Sequence, residues 1–140
     1  MNKEEAIKEG LKLAGESRNA IVGSIGEDAY PNQKCMFNME SEGLKTIWFG
    51  TNTSSKRVAQ FRKNPKASVY FVDFDGFRGL MLVGDMEVLE DLESKKRLWR
   101  EGYEMYYPQG VTDPDYCVLR FTAKSGNFYH GLENVSFEIE

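Results

Sequence analysis

Residues 46–65, TIWFGTNTSSKRVAQFRKNP, collect hydroxyls and positive charge in one short stretch. Thr51, Thr53, Ser54 and Ser55 supply hydroxyl donors, and Lys56 and Arg57 follow at once. A strand pattern runs through Thr51, and a helical pattern starts at Ser54-Ser55. The first-turn amides of a helix lack carbonyl partners and carry partial positive charge, so the corner suits an oxyanion. A phosphate monoester, with about two negative charges, is the ligand it suits best. The same residues admit a plainer reading, in which Ser54 or Ser55 only caps the helix while Lys56 and Arg57 sit in solvent. Neither a GK[ST] phosphate loop nor a G-x-G-x-x-G turn occurs anywhere in the chain, so ATP and Rossmann-type NAD binding lack support.

The elements that must position this corner follow from periodicity. Ala6, Ile7, Leu11 and Ala14 recur at helical spacing before Gly15, predicting a helix over 3–14. Strand-like runs follow at Ala20–Ile25, Gln33–Met39, Thr46–Phe49, Ala67–Val72, Leu80–Leu89, Cys117–Ala123 and from Phe128 onward. Gly26-Glu27-Asp28, Ser41-Glu42-Gly43 and Asp75-Gly76 separate runs as turns in which glycine supplies positive φ. A second helix runs from Ser54-Ser55 through Val58 and Phe61, with Arg62 and Lys63 in its last turn before Asn64-Pro65. A third starts near Asp91 and aligns Leu98, Trp99, Gly102, Tyr103 and Tyr106 before Pro108. Short antiparallel strands in so small a chain tend to close on themselves, which predicts a barrel with flanking helices and leaves a sandwich as the alternative.

Composition excludes several classes. The 140 residues make one domain, 1–140, with net charge −4, too acidic for a protein whose main partner is nucleic acid. No apolar run approaches the roughly 20 residues of a membrane span, and MNKEEAIKEG is too polar for a signal peptide, so a cytoplasmic location is expected. Cys35 and Cys117 form no C-x-x-C pair and read as buried thiols. With His130 as the one histidine, a metal site is not expected.

The order of these segments resembles the pyridoxamine 5′-phosphate oxidase-related FMN-binding split-barrel superfamily. The residues that carry the resemblance are the strand ending FGT, the spaced Ser55-Lys56, Asn64-Pro65 and the strand ASVYFVD. Upstream, Tyr30-Pro31-Asn32-Gln33-Lys34-Cys35-Met36 is similar to a Pro-x-x-Arg-Pro-Met-like strand, with Lys34 where arginine is common and Cys35 where proline is common. Downstream, GLMLVGDMEVLED, Leu98-Trp99 and YYPQGVTDPDYCVLRFTAKSGNFYHG follow the order of the short general-stress-protein-like branch.

The resemblance implies a six-stranded antiparallel split β-barrel that forms a homodimer, with FMN in two clefts at the subunit interface. Thr51 and Ser55 would bond the phosphate, and Lys56 with Arg57 would neutralise it. The Lys34-Cys35-Met36 strand would run beside the flavin ring, with Phe49 and Gly50 lining the same cleft. Lys34 near the ring's carbonyl edge would stabilise the anionic reduced flavin, or else is an exposed strand lysine. The implied activity is FMN-dependent oxidoreduction by hydride exchange with NAD(P)H or a small substrate. A noncatalytic, stress-related flavin protein and a haem-binding barrel are the alternatives.

The chain ends at Phe137-Glu138-Ile139-Glu140 without the arginine- and histidine-bearing segment of true pyridoxamine phosphate oxidases, so vitamin B6 oxidation is not expected. Tyr129 stands where the short branch usually has tryptophan. Trp99, Tyr103, Tyr106 and Tyr107 read first as core or interface, and second as a lid contributed by the partner subunit. His130 reads as a packed strand residue rather than a proton donor or haem ligand.

Overall fold

Alternation along the strands decides which side chains enter the core and which face the site. The computed structural model describes residues 1–140. Its strands are β1 (Asn19–Ile25), β2 (Pro31–Phe37), β3 (Glu40–Glu42), β4 (Thr46–Asn52), β5 (Lys66–Asp73), β6 (Arg78–Leu89), β7 (Tyr116–His130) and β8 (Glu133–Glu138). The helices are α1 (Lys3–Glu16), α2 (Lys56–Lys63) and α3 (Leu92–Leu98). One antiparallel sheet runs in the order β2-β1-β5-β6-β7-β4-β3, with β8 paired to β7 off that path. The six-stranded expectation is thus corrected to a path of seven strands plus β8.

Inward positions of the sheet form one core: Ala20 and Val22 of β1, Ile47 and Phe49 of β4, Val69 and Phe71 of β5, with Leu119 and Phe121 of β7. Helix α1 adds Ala6, Leu13 and Ala14, and α2 adds Val58 and Phe61. A smaller cluster of Trp48, Leu98, Tyr107, Tyr116 and Val118 lies apart from it. Trp48 and Phe49 are neighbours in sequence and belong to different clusters because successive strand residues point to opposite faces.

β7 is one strand of 15 residues where two were predicted. It pairs β6 along most of its length, while its other edge is taken by β4 over Tyr116–Thr122 and by β8 over Ser125–His130. The change of partner coincides with a β-bulge at Val83/Gly84, where Gly84 faces Ala123 and Val83 faces Ser125. A Cβ on Gly84 would lie 2.0 Å from the Thr122 carbonyl oxygen, so only glycine fits the bulge.

Other boundaries shift for local reasons. Helix α1 passes through Gly15 and stops at Ser17, whose hydroxyl donates to the Leu13 carbonyl. The stretch read as the turn Ser41-Glu42-Gly43 overlaps the end of β3, and only Gly43 turns left-handed there, at φ 57°. In the two other turns the positive φ falls on Ala29 (67°) and Phe77 (50°) rather than on glycine. Gly76 serves close approach instead, since its N–H donates to Asp73 Oδ1 and a Cβ would meet Asp73 Oδ2 at 2.4 Å. Helix α3 begins after its Asp91 cap as expected but ends at Leu98, well short of Pro108. Trp99 turns extended and packs edge-on against Tyr103 and Tyr116, and Gly102 at φ 91° redirects the chain into a 3₁₀ turn over Tyr103–Met105. Aromatic packing and a left-handed glycine therefore override the helical periodicity.

No helix is long and apolar enough to cross a membrane. The sheet curls until β2 contacts β4 without pairing to it. The opening between these two strands is the split in the barrel.

Candidate functional site

A cavity of about 860 Å³ fills that split. Its β2 side presents Lys34, Cys35, Met36 and Phe37, and its β4 side presents Gly50, Thr51 and Asn52. Ser55, Lys56 and Arg57 close one end, where β4 hands over to α2. Eight of the nine residues expected at the site therefore meet in one cleft.

The ninth, Phe49, does not. It is fully buried in the barrel core, because alternation along β4 turns it inward while Trp48 and Gly50 face the other way. The expectation for Cys35 as a buried thiol is corrected too: β2 is an edge strand, and Cys35 is exposed on it beside Lys34. Cys117 is buried in the core, where burial pushes its thiol pKa up.

The corner at the start of α2 is built by local hydrogen bonds. Ser55 caps the helix by accepting the Val58 N–H at 3.2 Å, which uses a lone pair on Oγ and leaves its hydroxyl proton free. The amides of Lys56 and Arg57 begin the helix and have no carbonyl partner within it. Neither cation forms an ion pair, nor does Lys34, although six other lysines and arginines do. No aspartate or glutamate lines the cleft.

Two of the hydroxyl-region residues face the other way. Thr53 donates its hydroxyl to the Pro114 carbonyl at 2.9 Å, and the Ser54 N–H donates to Asp115 Oδ1 at 2.9 Å. Asn52 Nδ2 also donates to Asp115, at 3.0 Å. Hydrogen bonds from Ser54 first and Asn52 next hold the Asp115 carboxyl below the usual range, so it remains ionised as the brace of the loop. Thr53 and Ser54 thus secure the corner to β7's entry, while Thr51 and Ser55 are among the residues that line the cavity.

The cleft has a further wall that the sequence does not assign to the site. Tyr103, Met105, Tyr106 and Tyr107 line it from the same chain, with Tyr116 beneath. Tyr107 Oη donates to Asn52 Oδ1 at 3.3 Å, and Tyr116 Oη donates to the Lys95 carbonyl at 2.8 Å. Burial pushes both phenols up to about 12, so they stay protonated near neutrality. The helical spacing of these aromatics hid their role, because the helix breaks at Trp99 and delivers them to the cleft from a 3₁₀ turn. The usable signal was Gly102 within the run.

Tyr129 lies outside this cavity, where its hydroxyl shares a 2.7 Å bond with Tyr70 and its ring packs edge-on against Phe77. The expectation of a packed His130 is corrected: it is exposed at the end of β7, where the alternating strand runs out into a turn, and it also lies outside the cavity.

Comparison with known proteins matches this architecture. Residues 5–139 match the family described as Pyridoxamine 5'-phosphate oxidase like. The chain is 46% identical to a Clostridium acetobutylicum protein described as related to general stress protein 26 of B. subtilis, of the pyridoxinephosphate oxidase family. That likeness covers 99% of this chain and 97% of the other, with a TM-score of 0.88. General stress protein 26 from Bacillus anthracis shares the fold at 17% identity and TM-score 0.73, over 98% of this chain and 100% of its own. A heme binding protein from Mycobacterium smegmatis shares it at 14% identity and TM-score 0.78, over 99% of this chain and 60% of its own. No curated protein matches the chain. On the extent of the family match and of the 46% identity, the chain belongs to the pyridoxamine 5′-phosphate oxidase-like family, in its general stress protein 26 branch.

Proposed function

We propose that the cleft between β2 and β4 binds FMN and that the protein is an FMN-dependent oxidoreductase acting on a small molecule. The observation that carries this reading is the unpaired positive corner. Lys56 and Arg57 have no carboxylate partner and share a cavity with Thr51, Ser55 and the free amides at the start of α2. A dianionic phosphate satisfies all of these groups together. Next to that corner the cavity is lined by Met36 of β2, Gly50 of β4 and the Tyr107 and Tyr116 rings, which suits a planar ring.

In this reading Thr51 and Ser55 donate to phosphate oxygens, while Lys56 and Arg57 neutralise them. Lys34, Cys35 and Met36 of β2 would flank the ring, and Gly50 leaves room beside it. A bound flavin supplies reversible hydride and electron exchange. Lys34 has no acidic neighbour to offset its charge, so it favours negative charge on a ligand beside it. The Tyr107 and Tyr116 phenols keep their protons and stiffen the floor of the site.

A second copy of the chain would complete the site. β2 is an edge strand, and Tyr30 just before it and Phe37 at its end are 71% and 72% exposed, a surface that favours self-association. Light scattering with FMN present tests this, and a flavin-loaded monomer would refute it. A haem reading finds less support, because the chain's one histidine is not among the cleft residues.

Calorimetry with FMN and riboflavin tests the cofactor reading. Saturable FMN binding that exceeds riboflavin binding is expected, and equal affinity for the two would remove the phosphate assignment. Anaerobic reduction of the loaded protein by NAD(P)H then separates an oxidoreductase from a flavin carrier.

A further inference from the structure

The phosphate corner and the β2 wall account for only part of the cleft lining. The remaining wall is an aromatic ladder that starts at the smaller cluster and ends in solvent. Trp99 packs edge-on against Tyr103 with ring centres 5.6 Å apart, and Tyr103 packs edge-on against Tyr106 at 6.3 Å. The far end is open, with Met105 80% exposed and Tyr106 66% exposed. Such residues would be buried if they served the core alone.

Their polar atoms are also unspent. The Tyr106 hydroxyl has no hydrogen-bond partner in the protein, and the Tyr103 hydroxyl reaches only the weak acceptor Met39 Sδ at 3.4 Å. Gly102 and Gly110, at φ 91° and 80°, bracket the segment and fix its path across the cleft mouth.

Resting on the flavin reading of the same cavity, we infer that the Tyr103–Met105–Tyr106 rim is a second subsite, which takes a planar, electron-poor ring bearing oxygen acceptors, of the quinone class. The electron-rich faces of tyrosine and the polarisable thioether favour a flat ring poor in electrons. With the FMN phosphate answering Lys56 and Arg57, Lys34 is the uncompensated charge left in the cleft, so a positively charged ring is disfavoured there even though tyrosine faces alone would attract it. The free Tyr106 hydroxyl and the Lys34 ammonium are donors that suit carbonyl oxygens.

Menadione, a neutral naphthoquinone, is the probe. Its affinity for the FMN-loaded protein, with no reductant present, is read by calorimetry and by quenching of tryptophan fluorescence. Tyr106→Ala and Met105→Ala change exposed residues and leave the fold intact, which thermal unfolding verifies. Loss of one aromatic contact is expected to weaken menadione about three- to tenfold in Tyr106→Ala, with FMN affinity unchanged. The cation 1-methylnicotinamide is expected to bind more weakly than menadione, and Lys34→Ala is expected to narrow that gap. Unchanged menadione affinity in both rim variants overturns the inference, as does loss of FMN affinity in Tyr106→Ala, which would make the rim a cover for the flavin itself. If the protein binds FMN but not menadione, the subsite alone falls. If it binds no FMN and Tyr106→Ala still weakens menadione, the cofactor reading falls and the subsite stands.

Discussion

Lys56→Ala gives the phosphate corner its sharpest test, because the size of its effect follows from where Lys56 lies. Its side chain is exposed and forms no ion pair, so removing it opens no cavity and strands no buried charge. Only the attraction between an ammonium and a phosphate is lost. Two unit charges about 4 Å apart in water attract by about 1 kcal/mol, and a phosphate monoester carries about 1.5 to 2 charges. The expected loss is therefore about 1.5 to 2 kcal/mol, or roughly 10- to 30-fold in Kd. Calorimetry at low salt should show this for FMN and no change for riboflavin, which has the same ring and no phosphate. Raising ionic strength should shrink the FMN effect, because the Debye length falls from about 10 Å at 0.1 M to about 3 Å at 1 M. Equal losses for both ligands, or none for FMN, would refute the reasoning and leave Lys56 a solvated helix-end residue.

Three further outcomes concern the scaffold. Gly84→Ala places a Cβ on the Thr122 backbone at the bulge and is expected to cost about 3 kcal/mol in denaturant unfolding; a loss below about 1 kcal/mol would mean that the bulge relaxes freely. Ala29→Gly relieves a left-handed φ of 67° at an exposed turn and should raise stability by about 0.5 to 1 kcal/mol, so a destabilised variant would contradict the strain. Asp115 has a folded pKa below its unfolded value, so its bonds to Ser54 and Asn52 stabilise the fold above the unfolded pKa, about 3.9, and this contribution disappears as pH falls through the folded pKa. Stability measured against pH should lose part of its acid limb in Asp115→Asn, and an unchanged profile would contradict the brace.

Much of this site could be read from residue order because its chemistry is local. Helix α2 announces itself through Ser55 at its start, Arg62 and Lys63 in its last turn and Asn64-Pro65 at its end, and each of these acts within one turn of the helix. Thr51, Ser55, Lys56 and Arg57 were placed together for the same reason. Phe49 lies in the core rather than along the cleft, which residue order does not reveal because membership in a strand does not say which face a residue takes. Cys35 was misread as buried because edge position is a property of the whole sheet order. Cys117–Ala123 and the run from Phe128 read as separate strands because Lys124, Ser125, Gly126 and Asn127 interrupt the apolar run, yet β7 continues through them, and a Cβ on Gly126 would meet Phe137 at 2.8 Å and Leu82 at 3.0 Å. The aromatic wall was missed because its helical spacing is real up to Leu98, after which packing against Tyr116 from β7 redirects the chain.

The central claim is that the cleft at the split binds flavin by its phosphate, and the visible spectrum of the purified protein titrated with FMN addresses it most directly. The expected result is a saturable shift of the flavin bands with quenched flavin fluorescence, reversed by heat with release of intact FMN. Flavin bands and fluorescence that stay those of free FMN at every protein concentration would contradict it.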